Sequence, residues 1–177
     1  MSSTLSPVYG TSVSMTTTNL ASLANATVTA ATATVVGYKS GWQSAKVDNY
    51  TATKAMDFFI NVKLTMAATN PANDKAIYVY GIPWYYDGST WYPADWGTGT
   101  LPTGSEGTAN IGDQGDHKPL VIIPYNTTSA VVDAVVKLSS IFGGIMPDGW
   151  SLGVINYSGA AVSAASVLYK PINYIGS

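Results

Sequence analysis

The chain has 177 residues, of which 46% are hydrophobic and only 10% charged; its formal charge is −2, its eight cations are all lysines, and it has no cysteine. These totals exclude disulfides and thiolate metal sites and argue against a nucleic-acid binder, which would cluster Arg and Lys on one face. So few ions also make a poorly dispersed monomer, so much of the surface is expected to face other subunits.

The length suits one domain with a sizeable core. Residues 1–36 carry no charge and are dominated by Ser, Thr, Ala, Asn and Val. Residues 20–26 predict a helical turn or two, and the β-branched content of residues 27–36 predicts an extended segment. The whole stretch reads as an extended N-terminal arm that orders against neighbouring subunits, ahead of a β domain over residues 37–177. It has no basic region followed by an apolar core, so no signal peptide is expected. No run of about 18 apolar residues occurs, so no membrane-spanning helix is expected.

Residues 37–48 predict the first core strand, anchored by Trp42. Phe58, Ile60, Val62, Leu64 and Met66 then alternate with Asp57, Asn61, Lys63 and Thr65, a period of two that predicts a half-buried strand. Asn70-Pro71 and Asn73-Asp74 are turn residues. Residues 76–80 predict a second strand, and Pro83 permits only an edge or bulged continuation. Asp87-Gly88 turns the chain back into Thr90-Trp91-Tyr92. Residues 93–118 are Gly-rich and aperiodic and read as a long loop. A short apolar run follows at 120–123. Val132, Ala134, Val136 and Leu138 then mark one face of a further strand. Pro147-Asp148-Gly149 predicts a turn, residues 150–157 and 161–169 two more strands, and residues 171–177 a tail. Short strands separated by turn signals, with no amphipathic helix, predict an all-β antiparallel sandwich or barrel.

Little in the chain suggests catalysis. His117, the only histidine, lies in Asp113-Gln114-Gly115-Asp116-His117, a spacing that fits neither an EF-hand nor a zinc signature and reads first as a polar loop tip. No nucleophile elbow, phosphate-binding loop or dinucleotide fingerprint is present. The single glutamate, Glu106, and the aspartates Asp74, Asp87 and Asp148 in turn-like contexts do not form a glycosidase pair in the sequence. No cofactor or metal is expected. The outstanding feature is the aromatic cluster Trp84, Tyr85, Tyr86, Trp91, Tyr92 and Trp96. Neighbours such as Tyr85 and Tyr86 point to opposite sides of a strand, so burial cannot take them all. The exposed remainder is expected to form a protein interface, with a sugar-stacking platform as the alternative.

Several phrases carry a resemblance: Asp74-Lys75-Ala76-Ile77-Tyr78-Val79-Tyr80, Asp87-Gly88-Ser89-Thr90, Phe142-Gly143-Gly144-Ile145-Met146-Pro147, and the run from Gly149-Trp150 to Asn156 ahead of Ser158-Gly159. With the composition, they resemble the small β-sandwich virion proteins of tailed bacteriophages, including capsid decoration (cement) proteins. The resemblance covers about residues 57–174 and brings no active-site residues with it. It implies a jelly-roll-like sandwich on the virion, assembled in the host cytoplasm. It further implies a homo-oligomer, a trimer for cement proteins, that clamps the major capsid protein or another virion protein, with no nucleic-acid or membrane partner. The capsid surface is favoured over the tail. Two other readings remain open: a tail- or fibre-associated carbohydrate-binding module stacking sugars on Trp84, Trp91 and Trp96, and an enzyme built on the Asp113–His117 loop.

Overall fold

The computed structural model describes residues 5–26, 28–29, 38–72, 74–94, 101–112 and 119–176. Its strands are β1 (Leu5–Tyr9), β2 (Val13–Ser14), β3 (Val28–Thr29), β4 (Tyr38–Gln43), β5 (Val47–Asp48), β6 (Asp57–Met66), β7 (Ala76–Tyr86), β8 (Trp91–Pro93), β9 (Gly107–Gly112), β10 (Val121–Pro124), β11 (Val131–Lys137), β12 (Gly149–Tyr157) and β13 (Val162–Gly176). Short helical turns occur at Leu20–Ser22, Asn49–Thr53 and Leu138–Ile141. The fold is all-β: two curled antiparallel sheets face each other as a sandwich.

One sheet has the order β1-β13-β6-β11, with β2 also on β13; the other has the order β10-β7-β12-β4-β3, with β5, β8 and β9 added to β12, β7 and β4. Eight strands nest from the outside in. β1 pairs with β13, β4 with β12, β6 with β11 and β7 with β10. Two further ladders, β13–β6 and β12–β7, join these pairs within each sheet.

Period-two alternation builds the core. Phe58, Ile60, Val62 and Leu64 of β6 are fully buried, and Met66 nearly so. They meet Ile77 and Val79 of β7, Trp42 of β4, and Trp150, Leu152 and Val154 of β12. Burying one such side chain stabilises by about 2–3 kcal/mol. Trp150 anchors one end of this core, its ring centroid 5.1 Å from Phe58 and 5.4 Å from Tyr169. Every residue of β12 but Tyr157 is buried, because the outer face of its sheet is also covered. A second cluster of Tyr80, Ile82, Trp84, Ile111 and Ile155 lies there.

The N-terminal segment is extended over β1 and β2, and its described residues dock on the chain's own sandwich. β1 runs along Ile172–Gly176 of β13. Leu20 is fully buried, and the main chain of Leu23 accepts a hydrogen bond from Val162 at 2.9 Å. The reason is elementary: the open edge of β13 offers unpaired main-chain groups, and two leucines gain more in this core than in water. Residues 171–176, expected as a tail, continue β13. Residues 107–112, expected as loop, form β9 against β4.

Candidate functional site

The two ends of the sandwich differ in chemistry. At one end lie the links 67–75, 125–130 and 158–161. Thr69, Asn70, Asp74, Lys75, Asn126, Thr127 and Thr128 are exposed there. The other end holds the start of β6, the end of β7, the β7–β8 turn, the links 44–56 and 138–148, and the β1–β13 termini. Its exposed side chains include Tyr50, Met56, Tyr85, Tyr92, Ile145, Ile175 and Leu5. Ile145, at 79% of its full surface, is the most exposed large apolar side chain described.

The β7–β8 hairpin dominates this end. Pro83 sits inside β7 opposite Trp150 without breaking the ladder. Its carbonyl accepts from Ala94 N–H at 3.0 Å, so its ring nitrogen faces the flank away from β12, beyond the end of β10. The sheet therefore loses no β7–β12 bond, as a proline in a strand requires. Asp87 fixes the turn. Its Oδ1 accepts from Ser89 and Thr90 N–H, each at 2.8 Å, and its Oδ2 from the Tyr92 hydroxyl at 3.0 Å. The Thr90 and Ser89 amides hold its carboxyl down at about 2, and the same carboxylate pushes the Tyr92 hydroxyl up.

The register Tyr85↔Tyr92 and Tyr86↔Trp91 sends the aromatics to two faces. On one, Trp84 is buried and donates its indole N–H to Ser151 Oγ at 2.9 Å. Tyr86 and Trp91 lie 4.7 Å apart on the same side, and Lys46 Nζ sits 3.3 Å from the Trp91 ring centre. Burial lowers the Lys46 pKa, with Asp48 opposing the shift. On the other face, Tyr85 and Tyr92 stack at 6.4 Å and 29°, with 62% and 50% of their surface open. They line a groove of about 600 Å³ with Pro83, Ala94, Met146 and Pro147, and among the described residues Asp148 is its only ionic group. Asp148 is itself tied down, accepting from Tyr86 N–H at 3.0 Å.

Of the sequence-derived candidates, Tyr85 and Tyr92 are therefore the accessible ones. Trp84 is buried, and Trp91 and Tyr86 are partly covered. Trp96 lies outside the described residues, as do Asp113, Asp116 and His117. Trp84 is buried beside Ser151 and Gly104, and Lys46 lies over the ring of the half-buried Trp91. Sequence reasoning missed Met146 and Pro147, which join the groove only through tertiary folding, and Ile145. The run Ile145-Met146-Pro147 beside Gly143-Gly144 was the available signal: apolar residues in a turn-rich link with no strand to bury them.

The other polar constellation at this end is structural. Ser139 donates its hydroxyl to Asp57 at 2.6 Å and its N–H at 3.0 Å, and Lys137 Nζ lies 3.0 Å from the same carboxylate. Burial pushes the Asp57 pKa up, but Ser139, Lys137 and Phe58 N–H outweigh it and the net shift is down. The hydrogen bond to Asp57 raises Lys137. These contacts pin the start of β6 to the 138–141 turn. No group of three His, Cys, Asp or Glu side chains that could hold a metal occurs among the described residues. No family model matches the chain, and no curated protein matches it in sequence.

Proposed function

We propose that this chain is a non-enzymatic structural protein of a tailed-phage virion, a capsid decoration protein whose apolar end seats on the major capsid protein. One observation carries the reading. Apolar side chains cluster in the open at one end of the sandwich, around Tyr85, Tyr92 and Ile145, while the links at the opposite end are mostly polar, with Val131 beside them the exposed apolar exception. Apolar anchors held on rigid elements are what a binding hot spot requires. The nested pairing of first strand with last, second with seventh, third with sixth and fourth with fifth supports a jelly roll, an architecture of viral coats. The low charge supports repeated copies meeting by symmetry as a homotrimer, so that modest contacts add through avidity.

The test is particle occupancy of Tyr85→Ser/Ile145→Ser. Both side chains lie outside the core, so the melting temperature stays within a few degrees of wild type while affinity for the shell falls about tenfold or more. Undiminished occupancy on purified particles would reject the apolar end as the docking face.

The Tyr85–Tyr92 stack also favours a second reading, a tail- or fibre-associated carbohydrate-binding module, in which sugar faces pack on tyrosines rather than tryptophans. Glycan-array binding that disappears in Tyr85→Ala and Tyr92→Ala, with no shell binding in wild type, would select it.

A further inference from the structure

We infer that β1 is exchanged between copies of this chain, each copy's first strand completing the β13 edge of a neighbour. The inference rests on the homo-oligomer reading above and specifies how the copies are joined.

β13 is longer than the strand beside it. Its pairing with β6 ends at Ile172↔Asp57, whereas its pairing with β1 runs from Ile172 to Gly176. Leu5–Val8 and residues 173–176 therefore form a two-stranded ribbon beyond the end of β6, tied to the sandwich by a hydrogen bond between the Tyr174 and Lys137 side chains. Such a ribbon is marginal in water unless something covers it. All five residues of β1 are exposed, including Leu5 at 69%, and Ile175 opposite is exposed at 58%. Neither residues 5–8 nor residues 173–176 carry a charge, and Lys170 of β13 lies just before the ribbon with its Nζ 5.5 Å from the Tyr9 ring centre. Docked on its own chain, β1 makes its ladder bonds and sets Tyr9 against Phe59 at 6.1 Å, yet leaves Leu5 69%, Val8 43% and Tyr9 50% exposed. Docked on a neighbour, it makes the same bonds and brings those side chains against a second sandwich, so exchange gains burial without losing a hydrogen bond.

The main chain shows which edge is involved. Gly10 N–H donates to Pro171 O at 2.9 Å, so Gly10, Val8 and Ser6 turn their polar groups toward β13. Leu5, Pro7 and Tyr9 turn theirs outward, and Pro7 has no N–H to offer. A further strand adding to the outer edge of β1 would meet that gap, which proteins use to block edge-to-edge growth. The β1–β13 ladder itself remains the contact that can be shared. Exchange needs a hinge, and Gly10, Thr11 and Ser12 supply it, because β2 is anchored again at Val13↔Tyr169 and by Met15 N–H to Val167 O at 2.9 Å. Three extended residues reach about 10 Å, so donor and acceptor sandwiches must abut at the ribbon. A cyclic hand-over of this kind closes as a ring where the rotation between copies allows it, and in the homotrimer proposed above that ring has three members.

The chain has no cysteine, so an introduced pair reports without background. Val8 and Asn173 are register partners. The Val8→Cys/Asn173→Cys protein is oxidised and analysed on a denaturing gel without reductant, beside native mass spectrometry of the wild type. Covalent trimers from a native trimer are the expected result. A native trimer that yields monomers with an internal bridge overturns exchange and leaves the homo-oligomer standing. A native trimer with both thiols free also overturns it, because β1 then lies on neither edge. A native monomer removes both exchange and the oligomer on which it depends.

Discussion

Glu106, the only glutamate in the sequence, has a structural task. It accepts from Asn19 N–H at 2.8 Å, Asn19 Nδ2 at 2.7 Å and the Trp42 indole N–H at 2.7 Å. It thereby joins the N-terminal segment, the 101–106 link and the core tryptophan of β4. Burial pushes its carboxyl up, but these donors outweigh burial and the net shift is down. A carboxylate depressed in the folded state gives stability that is fully present above its unfolded value and is lost as pH falls through the folded one. The ordinary value is 4.5, so the contribution fades below about pH 4.5. Glu106→Ala leaves the Trp42 and Asn19 donors without this acceptor and is expected to lower stability by about 2–3 kcal/mol at pH 7. Urea unfolding at pH 7 and pH 3 checks it: the gap between wild type and variant should shrink at pH 3, and an equal gap at both would contradict the assignment. Nothing near Glu106 in the sequence points to Asn19 or Trp42. A contact between residues 87 positions apart is set by the fold and is not legible in local pattern.

At the scale of elements, the strands that could be read were those with one buried and one wetter face. Phe58 to Met66 and Val132 to Val136 alternate, and they form β6 and β11. Trp42 and Trp150 are fully buried anchors. β9 was illegible because Gly107, Asn110 and Gly112 break any period, and it is held instead by its ladder with β4. Residues 171–176 looked like a tail because Pro171 resembles a stop, yet its missing N–H is accommodated where β13 meets Gly10. A Cβ on Gly10 would come within 2.6 Å of the Pro171 ring, so only glycine fits this approach. The charge-free N-terminus looked like one arm but comprises two pieces of different worth. Residues 5–9 are all exposed strand with no fully buried side chain, whereas Leu20 and Leu23 belong to the core. Removing residues 1–9 is expected to leave the melting temperature within a few degrees of wild type. Removing residues 1–36 takes away two buried leucines, at about 2–5 kcal/mol each, and should leave a protein that melts far lower or aggregates. Matching melting curves for the two truncations would show that the 15–26 segment does not support the core.

At the scale of the whole molecule, most ionic groups near the apolar end are already engaged within the chain, the exposed Lys54 apart. Lys137 is paired with Asp57, Lys46 lies on Trp91, and the carboxylates of Asp87 and Asp148 accept main-chain N–H groups. What this end offers a partner is mainly ring faces and aliphatic tips, with Lys54 as one exposed cation. Docking through it should therefore depend weakly on salt, since screening acts on charges and leaves apolar burial almost untouched. It should also show a clearly negative heat-capacity change, the mark of apolar surface leaving water. Titration calorimetry against empty shells, at 0.05 and 0.5 M salt and at several temperatures, separates the cases. An affinity that changes less than about threefold, with enthalpy growing more negative on warming, is expected for apolar seating. A loss of an order of magnitude at high salt, with a flat enthalpy, would instead place the contact on the polar turns at the opposite end, where Asp74 and Lys75 are exposed.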